Sequence, residues 1–256
     1  MSHEVGTYGT TYTEFGDGSG GEFYSVVSGI ASGEFDNVIE YLLATGRSGV
    51  HYRPGHLALL SGDGDALPNQ IREITEHFKA VSPEGAQQYF ISGSLGGGIN
   101  SYVQQHSQNP EYGYYAATGV HPAGLVMDNP AFRAGMRIFY KVDPRRAYER
   151  NGWTSPDLRS HWDRISLPPE SPYTLVLGGL DYIVPIVTAT RRFNKWSQSN
   201  PDATLHIRPT QGHTGAIRWL ANNLPLLMAA EQENFGIVQR PQAVPTTLLV
   251  RAPVTL

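Results

Sequence analysis

Ser92-Gly93-Ser94-Leu95-Gly96-Gly97-Gly98 follows directly on Gln88-Tyr89-Phe90-Ile91. The apolar run reads as a buried strand ending at Ser92, and Gly97 to His106 reads as the helix after it. A serine carried at the tip of a strand-to-helix turn sits on strained backbone. Such a turn accepts only small residues two positions away on either side. Here those residues are Ser92 and Gly96. The amino end of the following helix would favour negative charge developing beside the serine. A Gly-rich turn can instead cradle phosphate, but no Gly-Lys-Ser/Thr follows, so the P-loop pattern is not met.

Outward from this turn, short apolar runs alternate with helical patterns. Upstream, Thr7 to Phe15 reads as a strand closed by a Gly-rich turn, and Phe23 to Ser28 as a buried strand. Asp36 to Thr45 and Leu67 to Val81 read as helices from their 3.6-residue periodicity, with a short strand, Gly49 to Tyr52, between them. Downstream, Tyr114 to Val120, Tyr173 to Leu177 and Ala203 to Arg208 read as strands. Val187 to Ser197 and Gly215 to Glu233 read as helices. Thr246 to Val250 in the proline-bearing tail (237–256) fits an edge strand. This alternation predicts an α/β chain: a mostly parallel central sheet with helices on both faces, whose ligands sit at the carboxyl ends of the strands.

Two more strand ends carry polar chemistry. Leu175-Val176-Leu177-Gly178-Gly179-Leu180-Asp181 places a carboxylate four residues beyond a buried strand, ahead of Val184-Pro185. Taken alone, Asp181 is more simply a helix cap. Thr210-Gln211-Gly212-His213 places an imidazole after the strand ending at Arg208. Most loop histidines are ordinary surface residues, and His3, His51, His56, His77, His106, His161 and His206 are read that way. His121 lies at a strand end and could line a pocket.

Ser92-Gly93-Ser94-Leu95-Gly96-Gly97 resembles the nucleophile elbow of the α/β-hydrolase superfamily, in the S-L-G-G form of lipase- and thioesterase-like members. Ser92 stands where the G-x-S-x-G pattern has glycine. Gly178, Asp181, Val184 and Pro185 resemble the family's acid segment, and Gly212-His213 its G-H segment. The order Ser, Asp, His is also the family's. The resemblance implies a serine hydrolase cleaving a small-molecule carboxylic ester or thioester through an acyl-enzyme. Ser94 would be nucleophile, His213 base and Asp181 the orienting acid, with Asp128 as the competing acid. It implies oxyanion donors at the backbone of Leu95 and of Ile30, after Ser28-Gly29, where many relatives have His-Gly. It implies a core at 1–121 and 173–256 and a small cap insertion at 122–172. His121, Phe132, Met136, Phe139 and Trp153 would line the substrate pocket. The same machinery serves acyltransferases and cyclases, and some members bind without catalysing.

Composition narrows the field further. Hydrophobic residues at 40% and charged residues at 16% suit a packed core. A net charge of −4 with no basic run predicts no nucleic-acid partner. The chain has no cysteine, which removes disulfides, zinc–thiolate sites and a cysteine nucleophile. His51, His56, Asp63 and Asp65 match no metal-ligand spacing, so neither metal nor cofactor is expected. The first residues have no basic-then-apolar pattern and no apolar run reaches ~20 residues, so a cytoplasmic protein without a membrane span is expected.

Overall fold

The apolar runs pair into one eight-stranded sheet in the order β1-β2-β4-β3-β5-β6-β7-β8. The strands are β1 (Ser2–Val5), β2 (Thr11–Phe15), β3 (Glu22–Val27), β4 (Ser48–Arg53), β5 (Gln87–Gly93), β6 (Glu111–Ala117), β7 (Tyr173–Gly178) and β8 (Ala203–Arg208). Among the described residues five helices accompany them: α1 (Asp36–Ala44), α2 (Ala66–Val81), α3 (Leu95–His106), α4 (Ile186–Ser197) and α5 (His213–Asn234). The computed structural model describes residues 2–29, 35–55, 66–107, 111–117, 134, 137–138, 173–181, 184, 186–198 and 203–234. Apart from 134, 137 and 138, the cap expected at 122–172 lies outside them, as does the tail from 237.

Strands β4, β3, β5, β6, β7 and β8 are mutually parallel, while β1 and β2 are antiparallel to their neighbours. Thr7 to Phe15 is therefore not one strand. Gly6 N–H donates to Thr10 O and Gly9 N–H to Gly6 O, folding the chain into a hairpin whose second arm is β2.

Alternation along the buried strands supplies two cores, one on each face of the sheet. Leu175 and Leu177 of β7 join a cluster with Ile71, Phe78, Ile99 and Phe193 from α2, α3 and α4. Val176, between them, joins the opposite cluster with Val38, Leu42, Ile217 and Leu220 from α1 and α5. Each such side chain removed from water contributes roughly 1.5–3 kcal/mol before its entropy cost. The sheet is thus fixed between two helical layers, and its parallel strands all present their carboxyl ends at one rim.

Candidate active site

β5 ends at Gly93 and α3 opens at Leu95, leaving Ser94 alone at the turn. Its φ of 52° is the one left-handed value outside glycine among the described residues. A side chain held there costs on the order of 1–3 kcal/mol and persists only where the surroundings enforce it. Those surroundings are tight on both sides. A β-carbon on Gly96 would collide with the carbonyl oxygen of Val27 and lie 2.9 Å from that of Ser28. A β-carbon on Gly93 would lie 3.1 Å from both Phe35 and Ile217. Ser92 is fully buried, and its hydroxyl has no hydrogen-bond partner among the described residues. The position tolerates serine on size.

Below the turn, Asn100 of α3 is buried and ties the elements together. Its amide donates to Ser25 O at 3.1 Å and Ile91 O at 3.0 Å, and its oxygen accepts from Ser25 Oγ at 2.6 Å. One side chain thus joins α3 to β3 and β5.

Asp181 and His213 come from neighbouring strand ends that are tied by backbone bonds. Gly179 N–H donates to Arg208 O at 2.8 Å and Leu180 N–H to Gln211 O at 2.9 Å. Gly178 permits this approach, since a β-carbon there would meet Gln211 O at 2.6 Å. His213 Nδ1 lies 2.9 Å from Asp181 Oδ2, and His213 Nε2 lies 2.9 Å from Ser94 Oγ. The second oxygen, Asp181 Oδ1, accepts from Val184 N–H at 2.9 Å. The carboxylate therefore caps the turn toward α4 and holds the imidazole at once, one oxygen to each task. Its side chain is 1% exposed and that of His213 11%, so the imidazole–carboxylate contact is largely buried, while Ser94 is partly exposed. A hydroxyl bonded to an imidazole that is itself held by a buried carboxylate can lose its proton and attack an electrophilic carbon.

Leu95 is the first residue of α3. Ile30, His121, Asp128, Phe132, Met136, Phe139 and Trp153 lie outside the described residues. Among the described residues no cluster of three His, Asp or Glu side chains could hold a metal ion, and no helix is long and apolar enough to cross a membrane.

No family model matches the sequence, and no curated protein matches it. Solved structures do match. An α/β hydrolase enzyme from the metagenome of sediments from the lagoon of Mar Chica, Morocco, superposes with a TM-score of 0.61 at 17% identity, covering 92% of this chain and 99% of that one. Mouse alpha/beta hydrolase domain-containing protein 10 gives 0.60 at 14% identity, covering 90% and 98%. An esterase from Pyrococcus furiosus gives 0.57 at 15% identity, covering 91% and 88%. The chain has the α/β-hydrolase fold.

Within this α/β-hydrolase fold, one buried pair escapes a reading of the sequence. His51 is no surface residue. It is 4% exposed on β4, with Nε2 2.7 Å from the hydroxyl of Ser28, itself fully buried just past β3. Burial and the neighbouring Arg53 push its pKa down to about 4, with Asp36 opposing. The pairing of Val26 with His51 and Val27 with Tyr52 creates this contact. No local pattern in the sequence announces it.

Proposed function

We propose that the chain is a serine hydrolase that cleaves a carboxylic ester or thioester of a small molecule. The observation that carries this reading is the unbroken line from Ser94 Oγ through His213 to Asp181, with both steps at 2.9 Å and Ser94 on left-handed backbone. In this reading His213 takes the Ser94 proton as Oγ attacks the acyl carbon, and returns it to the departing alcohol or thiol. Asp181 fixes the tautomer and stabilises the transient imidazolium. Water then repeats the attack on the acyl-enzyme, again with His213 as base. The tetrahedral oxyanion is met by the Leu95 N–H at the amino end of α3 and by the N–H of Ile30 on the segment leaving β3.

The likeness to an esterase and to an α/β hydrolase enzyme supports hydrolysis as the chemistry. The cap at 122–172, with His121, Phe132, Met136, Phe139 and Trp153, is the proposed pocket over Ser94. Neither a cofactor nor a metal has a role in this scheme.

The test is turnover of p-nitrophenyl esters and acyl-thioesters of increasing chain length, with fluorophosphonate labelling alongside. The expected result is hydrolysis of at least one series and labelling of wild type, both absent in Ser94→Ala. A folded wild-type protein that neither turns over nor takes the label would overturn the reading.

A further inference from the structure

The pairing of β7 with β8 ends where Gly178 stands opposite Arg208. Beyond that point one connection carries Asp181 and the other leads to His213. The two connections stay joined through a single carbonyl. Arg208 O accepts from Gly179 N–H at 2.8 Å and from Gln211 N–H at 3.0 Å, so one atom holds the acid-bearing segment and turns the base-bearing one. The fit leaves no room for a side chain at residue 179. A β-carbon there would lie 2.5 Å from Pro209 O and 2.7 Å from Pro209 Cα, and packed backbone cannot swing aside as a flexible side chain does.

The side chain of Arg208 makes a second connection. His206 and Arg208 are two residues apart on β8, so they project from the same face of the sheet, and both meet Trp219 of α5. The Arg208 guanidinium lies over the indole at 4.6 Å from the ring centroid, and the His206 ring lies at 5.5 Å. The buried Nε of Arg208 has no hydrogen-bond partner among the described residues. The ring face therefore holds this cation. An unpaired buried N–H costs stability, so hydrogen bonding does not account for the placement. What the placement achieves is geometric. It fixes α5, which opens at His213, against the strand end whose carbonyl fixes the Asp181 segment.

We infer that Gly179, Arg208 and Trp219 are positioning residues for the contact between Asp181 and His213. They make acid and base one preassembled unit, with its geometry set at the end of β8. This rests on the hydrolase reading above. In that scheme the imidazole moves a proton in both acylation and deacylation, so its displacement lowers kcat. A misplacement of about 1 Å is worth roughly 100-fold. Substrate contacts made elsewhere should be spared, and KM with them.

The experiment uses the full chain, with the best ester from the acyl series as substrate. Gly179→Ala wedges the two connections apart and should lower kcat about 10- to 100-fold, with KM within about 2-fold. The rate of fluorophosphonate labelling at Ser94 should fall in parallel, because it draws on the same base. Arg208→Ala and Trp219→Leu open the clamp from either side. Each should lower kcat about 3-fold or more, and the double variant should lose little beyond the worse single one, since both remove one contact. Arg208→Lys keeps a cation over the ring and should recover most of the loss. A folded Gly179→Ala with wild-type kcat and labelling rate overturns the inference. If that variant does not fold, wild-type kcat in folded Arg208→Ala and Trp219→Leu overturns it. Losses that multiply in the double variant, or a raised KM at unchanged kcat, overturn it as well. The hydrolase reading fails differently, in a wild type that neither turns over nor labels, before any of these variants is made.

Discussion

Asp181 divides its two carboxylate oxygens between a backbone N–H and an imidazole, and that division makes a sharp prediction. Asp181→Asn keeps an acceptor for Val184 N–H but presents an amide to His213, which favours the wrong tautomer. kcat for the ester should fall about 10,000-fold while the fold is kept. Asp128→Asn, assayed beside it, should stay within about 2-fold of wild type, since no imidazole depends on that residue in the proposed scheme. Near-equal losses in the two variants would contradict the assignment. At this scale the sequence was legible for a physical reason. Ser94 and Asp181 each follow a buried strand and His213 the half-buried β8, all among glycines whose missing β-carbons leave room for close backbone approach, and both features are written locally. Ser28 and His51 were not legible, because their meeting depends on the register of two strands more than twenty residues apart.

Among the elements, α3 is anchored through Asn100 rather than through its apolar face alone. Asn100→Ala would remove the acceptor of the Ser25 hydroxyl and one donor each from the carbonyls of Ser25 and Ile91 in a buried interior. The expected loss is about 3 kcal/mol. That corresponds to roughly 6–12 °C in Tm for a chain of this size, measured by thermal unfolding. A shift below about 2 °C would mean that the network contributes little. The element boundaries also show where sequence reading stops. The buried strands and the periodic helices stood out, because burial on both faces leaves near-continuous apolar runs and burial on one face leaves a 3.6-residue period. The N-terminal hairpin did not, because its strands are half-exposed and its turn at Gly6 to Thr10 is polar like its arms. Helices α3 and α5 begin two residues earlier than their apolar periodicity suggests, at Leu95 and His213, so that Ser94 and His213 both stand at helix amino ends.

For the whole molecule, buried neutral histidine makes stability depend on acid. His51 has a folded pKa of about 4 against 6.5 for the free side chain. Between those values the unfolded chain binds a proton that the folded chain refuses. The contribution of this group is therefore complete above pH 6.5, falls as the pH drops toward 4, and is flat below. The stability lost from this source between neutral pH and pH 4.5 is on the order of 2–3 kcal/mol. Burial lowers the pKa of His77 and His206 as well, which adds to the slope in the same direction. Urea midpoints should therefore fall between pH 7 and 4.5, and fall less in His51→Gln. Equal acid sensitivity in the two proteins would rule out this source. The seam between β6 and β7 has another consequence. Their four-residue pairing brings the Ser94 half of the sheet against the half that carries Asp181 and His213, while the chain travels from 117 to 173 before it returns. A backbone severed within that excursion would leave the hydroxyl on one polypeptide and its proton acceptor on the other. Under the proposed mechanism neither piece would turn over an ester alone, and any activity regained on mixing would report how well the two half-sheets find each other.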